Sequence, residues 1–343
     1  MNCCAECFGD RGLRKSIIPM RSMGNGICSY CGSEDVPVVP PTRLADFFQL
    51  LIGAYRRDDG GKLLVQWFRE DWGMFEHTRM DDSRAKDLLG EILNDGEIVR
   101  QPFLPADYSG ADRLGEWEKL RDELMYQNRY FPGVSDEYLN RLEVLLDYLR
   151  LDGDEVPNVW FRARIQTGDA MFAVDDMGAP PRGIASHGRA NPAGIPYLYL
   201  GSTQETAISE IRPHTGERVC VVDFRTQPDL NLVDLRRPKK MVSPFLLEFS
   251  EAWDIPRMRR DLPVLERLGE ELTRPVLPHS AAIDYTPSQY LCGFIKKCGY
   301  DGVVYRSSVG DGINLALFDP AKAQPGTVVQ WHVFRVSVDA RAV

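Results

Sequence analysis

Cys4-x-x-Cys7 and Cys28-x-x-Cys31 form two CxxC pairs separated by 20 residues. Two thiolates of one tight turn can hold the same ion, and two such turns close a tetrahedral four-sulfur shell for zinc. Gly9, Gly12, Gly24 and Gly26 stand near the knuckles, where the turns need backbone freedom. A four-cysteine shell has no open coordination position, so it implies structure rather than catalysis. Cys3 adjoins Cys4 and could replace it as a ligand. Neither pair lies in a strand–helix context, which argues against a redox role. The competing reading is free thiols on a flexible leader.

Three places in the second half hold polar residues that strand or helix periodicity does not require. In Phe161-Arg162-Ala163-Arg164, alternation puts Arg162 and Arg164 on one strand face. Two guanidiniums on a face suit a phosphate or pyrophosphate, against the plainer reading of a solvated face. Residues 188–196 (GRANPAGIP) make a glycine–proline loop that leads into a strand and then a helix. On that helix Thr206 and Glu210, four residues apart, share a face with Ala207. A carboxylate on a partly apolar face is costly without a role or a partner, and Arg162 or Arg212 would serve as a plain ion pair. Residues 299–308 form a strand ending in Ser307 and Ser308, before a glycine loop that reaches Asn314. Strand ends facing such loops commonly build small-molecule sites; the alternative is a hairpin whose hydroxyls bond the turn.

These residues need elements to hold them. Residues 36–41 (VPVVPP) read as an extended linker. Leu44, Phe47, Phe48, Leu51 and Ile52 then recur at helical spacing after Thr42 as N-cap. Ala85, Leu88, Leu89 and Ile92 repeat the pattern, as do Leu114, Trp117, Leu120 and Leu124. Ser135 caps a further helix carrying Leu139, Leu142, Leu145, Leu146 and Leu149. Residues 41–155 hold 15 basic and 25 acidic residues, a net of −10, and read as an acidic helical domain. After Asp152-Gly153-Asp154 the texture changes. Strand-like runs at 159–165, 197–200, 218–224, 302–305, 314–318 and 328–338 alternate with helical segments at 203–211, 244–253, 262–272 and 287–298. Ser202-x-x-Glu205 reads as a capping box for the first of these. The predicted fold class is α+β. The predicted division is a zinc-knuckle segment (1–40), a helical domain (41–155) and a mixed α/β catalytic domain (156–343).

Composition excludes several classes. No apolar run approaches the roughly 18 residues of a membrane span. The N-terminus lacks the order of a secretory signal. A net charge of −9 argues against a general nucleic-acid binder. Eight scattered or metal-spaced cysteines in 343 residues point to a reducing, cytoplasmic setting.

Taken in chain order, the three polar places resemble the RES-domain family, named for its Arg, Glu and Ser. The strings GRANPAGIPYLYL, ETAISEIRP, GYDGVVYRSS and NLALF are close to that family's pattern, and the resemblance covers residues 158–325. It implies a fold similar to ADP-ribosyltransferases and an action on NAD. Many members look like toxins of toxin–antitoxin pairs that deplete NAD. By position the resemblance makes Arg162, Glu210 and Ser307 catalytic, and Arg189, Tyr199 and Asn314 pocket residues. Arg164 and Ser308 are neighbours that compete for two of those roles. The leading region looks like the extension of larger RES proteins, which has been likened to HEPN domains, and departs from the compact toxins.

The chemistry fits these residue types. The nicotinamide–ribose bond of NAD breaks with an already cationic leaving group, so one carboxylate suffices where glycoside hydrolysis uses two. Glu210 would stabilise the oxocarbenium-like ribose, Arg162 and Arg189 would hold pyrophosphate or a phosphate acceptor, and Tyr199 would pack against nicotinamide or ribose. Ser307 would bond the ribose or the amide. The acceptor stays open among phosphate, water and a protein side chain. NAD as substrate, inorganic phosphate as co-substrate, structural zinc, an antitoxin or regulatory partner and a homo-oligomer are the expected companions, without membrane or nucleic acid. The rivals are a protein ADP-ribosyltransferase, a non-catalytic zinc-bearing binding module, and a ribonuclease of the Arg-x(4–6)-His kind. For the last, Arg182…His187 and Arg274…His279 fit the spacing but lie in proline-rich loops.

Overall fold

The computed structural model describes residues 1–106, 112–151, 155–247, 254–277 and 279–337. Asp152–Asp154, the end of the helix expected at 244–253, and Val338 lie outside the described residues. The chain divides into two compact units: residues 1–115 with 239–266, and residues 116–238 with 267–343.

In the first unit, β1 (Cys3–Cys4), β2 (Asn25–Gly26) and β3 (Val36–Val39) form an antiparallel sheet in the order β1-β3-β2. Val36–Val39 is therefore the central strand that ties the two knuckles together, not a linker. The β-branched valines favour that pairing over the extended reading prompted by the prolines. Thr42 sits in a 3₁₀ turn, Pro41–Leu44, and the helix Ala45–Ile52 follows without a side-chain cap. Helices Leu64–Trp72 and Asp82–Leu93 follow it along the chain. The helical reading missed β4 (Tyr55–Leu63), paired with β5 (Pro102–Pro105). Its RRDDGG stretch is polar and carries no apolar alternation to announce a strand. The core is aromatic: Phe8 meets Phe48 at 5.5 Å, and Phe48 meets Phe245 at 5.1 Å.

The second unit is built on a seven-stranded sheet in the order β12-β8-β6-β7-β11-β10-β9. Its strands are β6 (Val159–Ile165), β7 (Leu198–Gly201), β8 (Arg218–Thr226), β9 (Leu232–Asp234), β10 (Gly302–Arg306), β11 (Ile313–Leu317) and β12 (Ala323–His332). All neighbours are antiparallel except β9 and β10. Ala163, Val219, Val221 and Ala207 form a core on one face, covered by the helix Gln204–Glu210. That helix is capped by Thr203, whose side chain accepts from the Thr206 amide, one residue past the expected Ser202. Ser135 caps the helix Asp136–Tyr148 as expected.

The predicted boundary near residue 155 does not separate these units. The Asp234 amide donates to the Leu149 carbonyl at 2.7 Å, and the Leu151 amide to the Leu232 carbonyl at 3.0 Å. The end of the Asp136–Tyr148 helix thereby covers the open edge of β9 and draws its helix into the second unit. Among the described residues no helix is long and apolar enough to cross a membrane.

Candidate active site and cysteine cluster

β6 and β7 are paired at a single register position, Phe161 opposite Gly201. Where the two strands part, a cavity of about 310 Å³ opens. Both strands contribute walls, Phe161–Ala163 on one side and Tyr199–Gly201 on the other. Gly201 is needed there: a Cβ would lie 2.8 Å from the Ala207 amide nitrogen. The helix Gln204–Glu210 thus packs directly on the strand and delivers Glu210 to the cavity.

Arg162 lines the cavity and Arg164 does not. The Arg162 guanidinium donates from Nη1 to the Tyr199 carbonyl at 3.2 Å, and its Nε is buried without a protein partner. Burial pushes its pKa down to about 10, with the charge of Arg164 adding to the effect. Arg164 instead donates to the Asp176 carbonyl and lies over the Phe172 ring at 4.5 Å. The shared strand face is real, but the Val174–Met177 turn captures the outer guanidinium.

Glu210 Oε1 accepts two hydrogen bonds, from Ser307 Oγ at 2.7 Å and Asn314 Nδ2 at 2.6 Å. Among the described residues neither Arg162 nor Arg212 pairs with it. Asn314 is buried on β11 opposite Tyr305 of β10, and both line the cavity. Ser307 stands behind the carboxylate, on a loop closed by its own amide to the Gly312 carbonyl at 2.9 Å. Gly312 lets that loop approach the helix, since a Cβ would sit 2.0 Å from Thr206 Oγ1.

Arg189 closes the opposite wall. Its Nη1 donates to the Arg274 carbonyl at 2.6 Å and its Nη2 to Ser308 Oγ at 3.3 Å. Ser308 therefore serves Arg189 and does not itself line the cavity. The Tyr199 hydroxyl donates to Asn191 Oδ1 at 2.7 Å and accepts from the Ala190 amide at 3.0 Å. Burial holds the phenol protonated, well above its ordinary pKa.

Four residues escaped the sequence reading. Asn191 is buried and spends its amide on the carbonyls of Ser186, Pro192 and Ile195, which makes it the staple of the 186–195 loop. An asparagine within a glycine–proline loop was the available signal. His187, Tyr285 and Tyr305 line the cavity; His187 is marked only by the Arg-x(4–6)-His spacing, and Tyr285 and Tyr305 by no spacing rule. Arg182 is exposed and Arg274 turns to Glu271 and Asp284, so neither pairs with the histidine five residues on.

In the first unit the sulfurs of Cys4, Cys7, Cys28 and Cys31 all lie within 4.8 Å of one another, and all four residues are buried. Cys7 and Cys28 approach to 3.3 Å, Cys4 and Cys31 to 3.5 Å. A tetrahedron with Zn–S bonds of about 2.3 Å has edges of about 3.8 Å, so the donor set is compatible with zinc. Hydrogen bonds within the cluster lower the pKa of the Cys28 thiol and raise those of Cys4 and Cys7, as for one thiolate shared among neighbouring thiols. Cys3 is apart from the cluster: its sulfur faces the Val39 carbonyl at 3.6 Å. Arg79 and Arg84 brace the second knuckle by donating to the carbonyls of Cys31 and Tyr30, each at 3.2 Å.

The family model described as RES domain matches residues 159–339, more than half of the chain. The chain belongs to the RES-domain family. Its RES domain begins at β6 and contains every residue that lines the cavity. Among solved structures it is similar to the crystal structure of the M. tuberculosis MbcT–MbcA toxin–antitoxin complex. The identity is 15%, the match covers 56% of this chain and 92% of that one, and the TM-score is 0.31. No curated protein matches the chain.

Proposed function

We propose that this RES protein cleaves the nicotinamide–ribose bond of NAD, with phosphate or water as acceptor, and so acts as an NAD-depleting, toxin-like enzyme. One observation carries the reading. A carboxylate fixed by two donors, Glu210, shares a cavity with a half-buried guanidinium, Arg162, whose buried Nε has no protein partner. A buried guanidinium N–H without an acceptor is costly until a ligand meets it, and an anion does so best. An anion bearing an electrophilic centre beside the carboxylate satisfies both groups.

In this reading the pyrophosphate lies against Arg162 and Arg189. Both hydrogen bonds of Glu210 fall on Oε1, and among the described residues none reaches Oε2. That oxygen is left to face the ribose. As the glycosidic bond breaks, its electron pair leaves with nicotinamide, which departs neutral. The positive charge then develops on the ribose, where the fixed carboxylate stabilises it without reorganising. Phosphate or water adds to that carbon. Water gives up its proton and yields ADP-ribose; phosphate yields the 1″-phosphate. The aromatic walls, Tyr199, Tyr305 and Tyr285, suit planar rings. The four-cysteine cluster would hold a zinc ion that supplies structure only. A partner protein of antitoxin type would act by covering the cavity.

The test is product analysis of NAD incubated with the full chain, with and without phosphate, beside Glu210→Ala. Nicotinamide with ADP-ribose 1″-phosphate only when phosphate is present assigns a phosphorylase. Nicotinamide with ADP-ribose in its absence assigns a glycohydrolase. Intact NAD throughout, or turnover that survives Glu210→Ala, overturns the proposal.

A further inference from the structure

Arg189 is held more elaborately than any other residue of the cavity. Its own carbonyl accepts from Ser288 Oγ at 2.6 Å, and the neighbouring Gly188 carbonyl accepts from Gln289 Nε2 at 2.8 Å. Its Nη1 reaches two main-chain carbonyls at the end of the Asp254–Thr273 helix, Leu272 at 3.4 Å and Arg274 at 2.6 Å. Its guanidinium lies 5.5 Å from the centre of the Tyr285 ring. A helix C-terminus is the negative end of the dipole, so this cradle orients a cation without neutralising it.

Two pieces of that cradle lie on separate elements, and one side chain joins them. Arg274 Nη2 donates to the Asp284 carbonyl at 2.7 Å, next to Tyr285. Arg274 Nε lies 3.6 Å from Glu271 Oε2, on the last turn of the helix, a charge contact without a hydrogen bond. Glu271 is 1% exposed, and its other oxygen takes Arg121 at 3.2 Å, Arg267 at 3.1 Å and Trp117 Nε1 at 3.4 Å. A carboxylate that deeply buried is held in place by the three cations around it. Arg274 thus couples an anchored helix end to the backbone that presents Tyr285.

We infer that Arg274, braced by buried Glu271, is a positioning residue that sets the Arg189 guanidinium for the anionic part of the substrate. The inference rests on the reading of Arg189 given above. Arg274 touches no substrate: it acts through two carbonyls and one ring. The requirement is geometric, because a guanidinium recognises phosphate oxygens through a planar fork.

The test uses Arg274→Gln, which keeps the main-chain carbonyl and removes both side-chain links, with Arg189→Ala and the double variant. Arg274→Gln is expected to raise KM for NAD about tenfold with kcat within about twofold, and to add nothing in the Arg189→Ala background. Additive losses in the double variant would show a merely structural residue and overturn the inference. A second readout needs no turnover: the Nη–H resonances of Arg189, whose Nη1 and Nη2 carry its hydrogen bonds. They are expected to be distinct and slowly exchanging in the wild type and in Arg274→Lys, and to merge with bulk arginine in Arg274→Gln. Unchanged resonances in Arg274→Gln overturn the inference even where NAD is cleaved. A wild type that neither cleaves NAD nor binds ADP-ribose overturns the reading of Arg189 instead, and the resonances still decide the cradle.

Discussion

Ser307 Oγ donates a 2.7 Å hydrogen bond to Glu210 Oε1, across 97 residues of sequence. The next residue, Ser308, accepts from Arg189 Nη2 at 3.3 Å. Two consecutive hydroxyls thus hold the anion and the cation of one cavity. Consecutive α-carbons are about 3.8 Å apart, so the strand end at Arg306 fixes the spacing of the two charges more tightly than either element that carries them. The tight loop that follows, closed by Gly312 on Thr206, is what makes this geometry stiff.

Glu210 and Ser307 should separate by magnitude. Glu210→Gln keeps an oxygen for Ser307 and Asn314 and loses only the charge. We predict a fall in kcat of about 10²–10³-fold, as for the loss of an oriented transition-state stabiliser. Ser307→Ala removes one hydrogen bond to a charged group, about 1.5–3 kcal/mol, or roughly 10–100-fold. Steady-state nicotinamide release measures both. Equal losses would mean that Ser307 meets the substrate rather than the carboxylate.

Gly188→Ala should disable the cavity from outside the charged groups. A Cβ there would stand 2.6 Å from both Asn191 Oδ1 and the Tyr199 hydroxyl, between two partners that bond at 2.7 Å. One of them must move. The loop staple and the Tyr199 ring would separate, at about 1–3 kcal/mol for a buried group left unpaired. The expected outcome is a melting temperature lowered by several degrees and a raised KM for NAD. Unchanged melting and kinetics would show that the loop yields without cost.

The motif residues were legible because their chemistry breaks a periodic pattern. Arg162 in a strand, Glu210 on a partly apolar helix face and Asn314 in a strand core are each expensive without a partner. Strand alternation also placed Arg164 on the face of Arg162, but could not foresee that Phe172 and the Asp176 carbonyl would capture it. Tyr285 and the pocket place of His187 were illegible, since contacts between distant segments, such as Gln289 to the Gly188 carbonyl, bring them together. The compact units divide elsewhere than the predicted boundary, although the RES match begins close to it, at residue 159. The texture does change near residue 155, yet the Arg150–Leu151 segment adds to the edge of β9, and an edge contact leaves no periodic mark.

The cysteine cluster makes a stoichiometric prediction. The purified chain should carry one zinc, removable by a strong chelator with loss of structure in the first unit. Apparent folding contributions of structural zinc reach about 10 kcal/mol or more near pH 7. Cys4→Ala and Cys28→Ala should lose the metal. Cys3→Ala should keep it, because the Cys3 sulfur faces the Val39 carbonyl and stands outside the cluster. Elemental analysis of the three variants checks this. Zinc lost from Cys3→Ala and retained by Cys4→Ala would reverse the ligand assignment.

Asp10 should set a pH dependence of stability in the first unit. The carboxylate is buried, with Oδ1 accepting from the Leu13 amide at 2.8 Å and from Ser243 Oγ at 2.9 Å. Burial outweighs those bonds and raises its pKa from 3.8 to about 6. A raised carboxyl pKa means that the folded state binds the proton more tightly than the unfolded one. Stability is therefore highest, with respect to this group, below about pH 4 and declines until about pH 6, after which the cost is constant. At 1.36 kcal/mol per unit, the full cost is of order 2–3 kcal/mol. Asp10→Asn keeps the accepting oxygen and removes the charge. The variant should melt several degrees above the wild type at pH 7, and the gap should narrow as the pH falls toward 5. Denaturation across pH 5–8 measures the difference directly. A gap that stays constant across that range would mean that Asp10 does not titrate there.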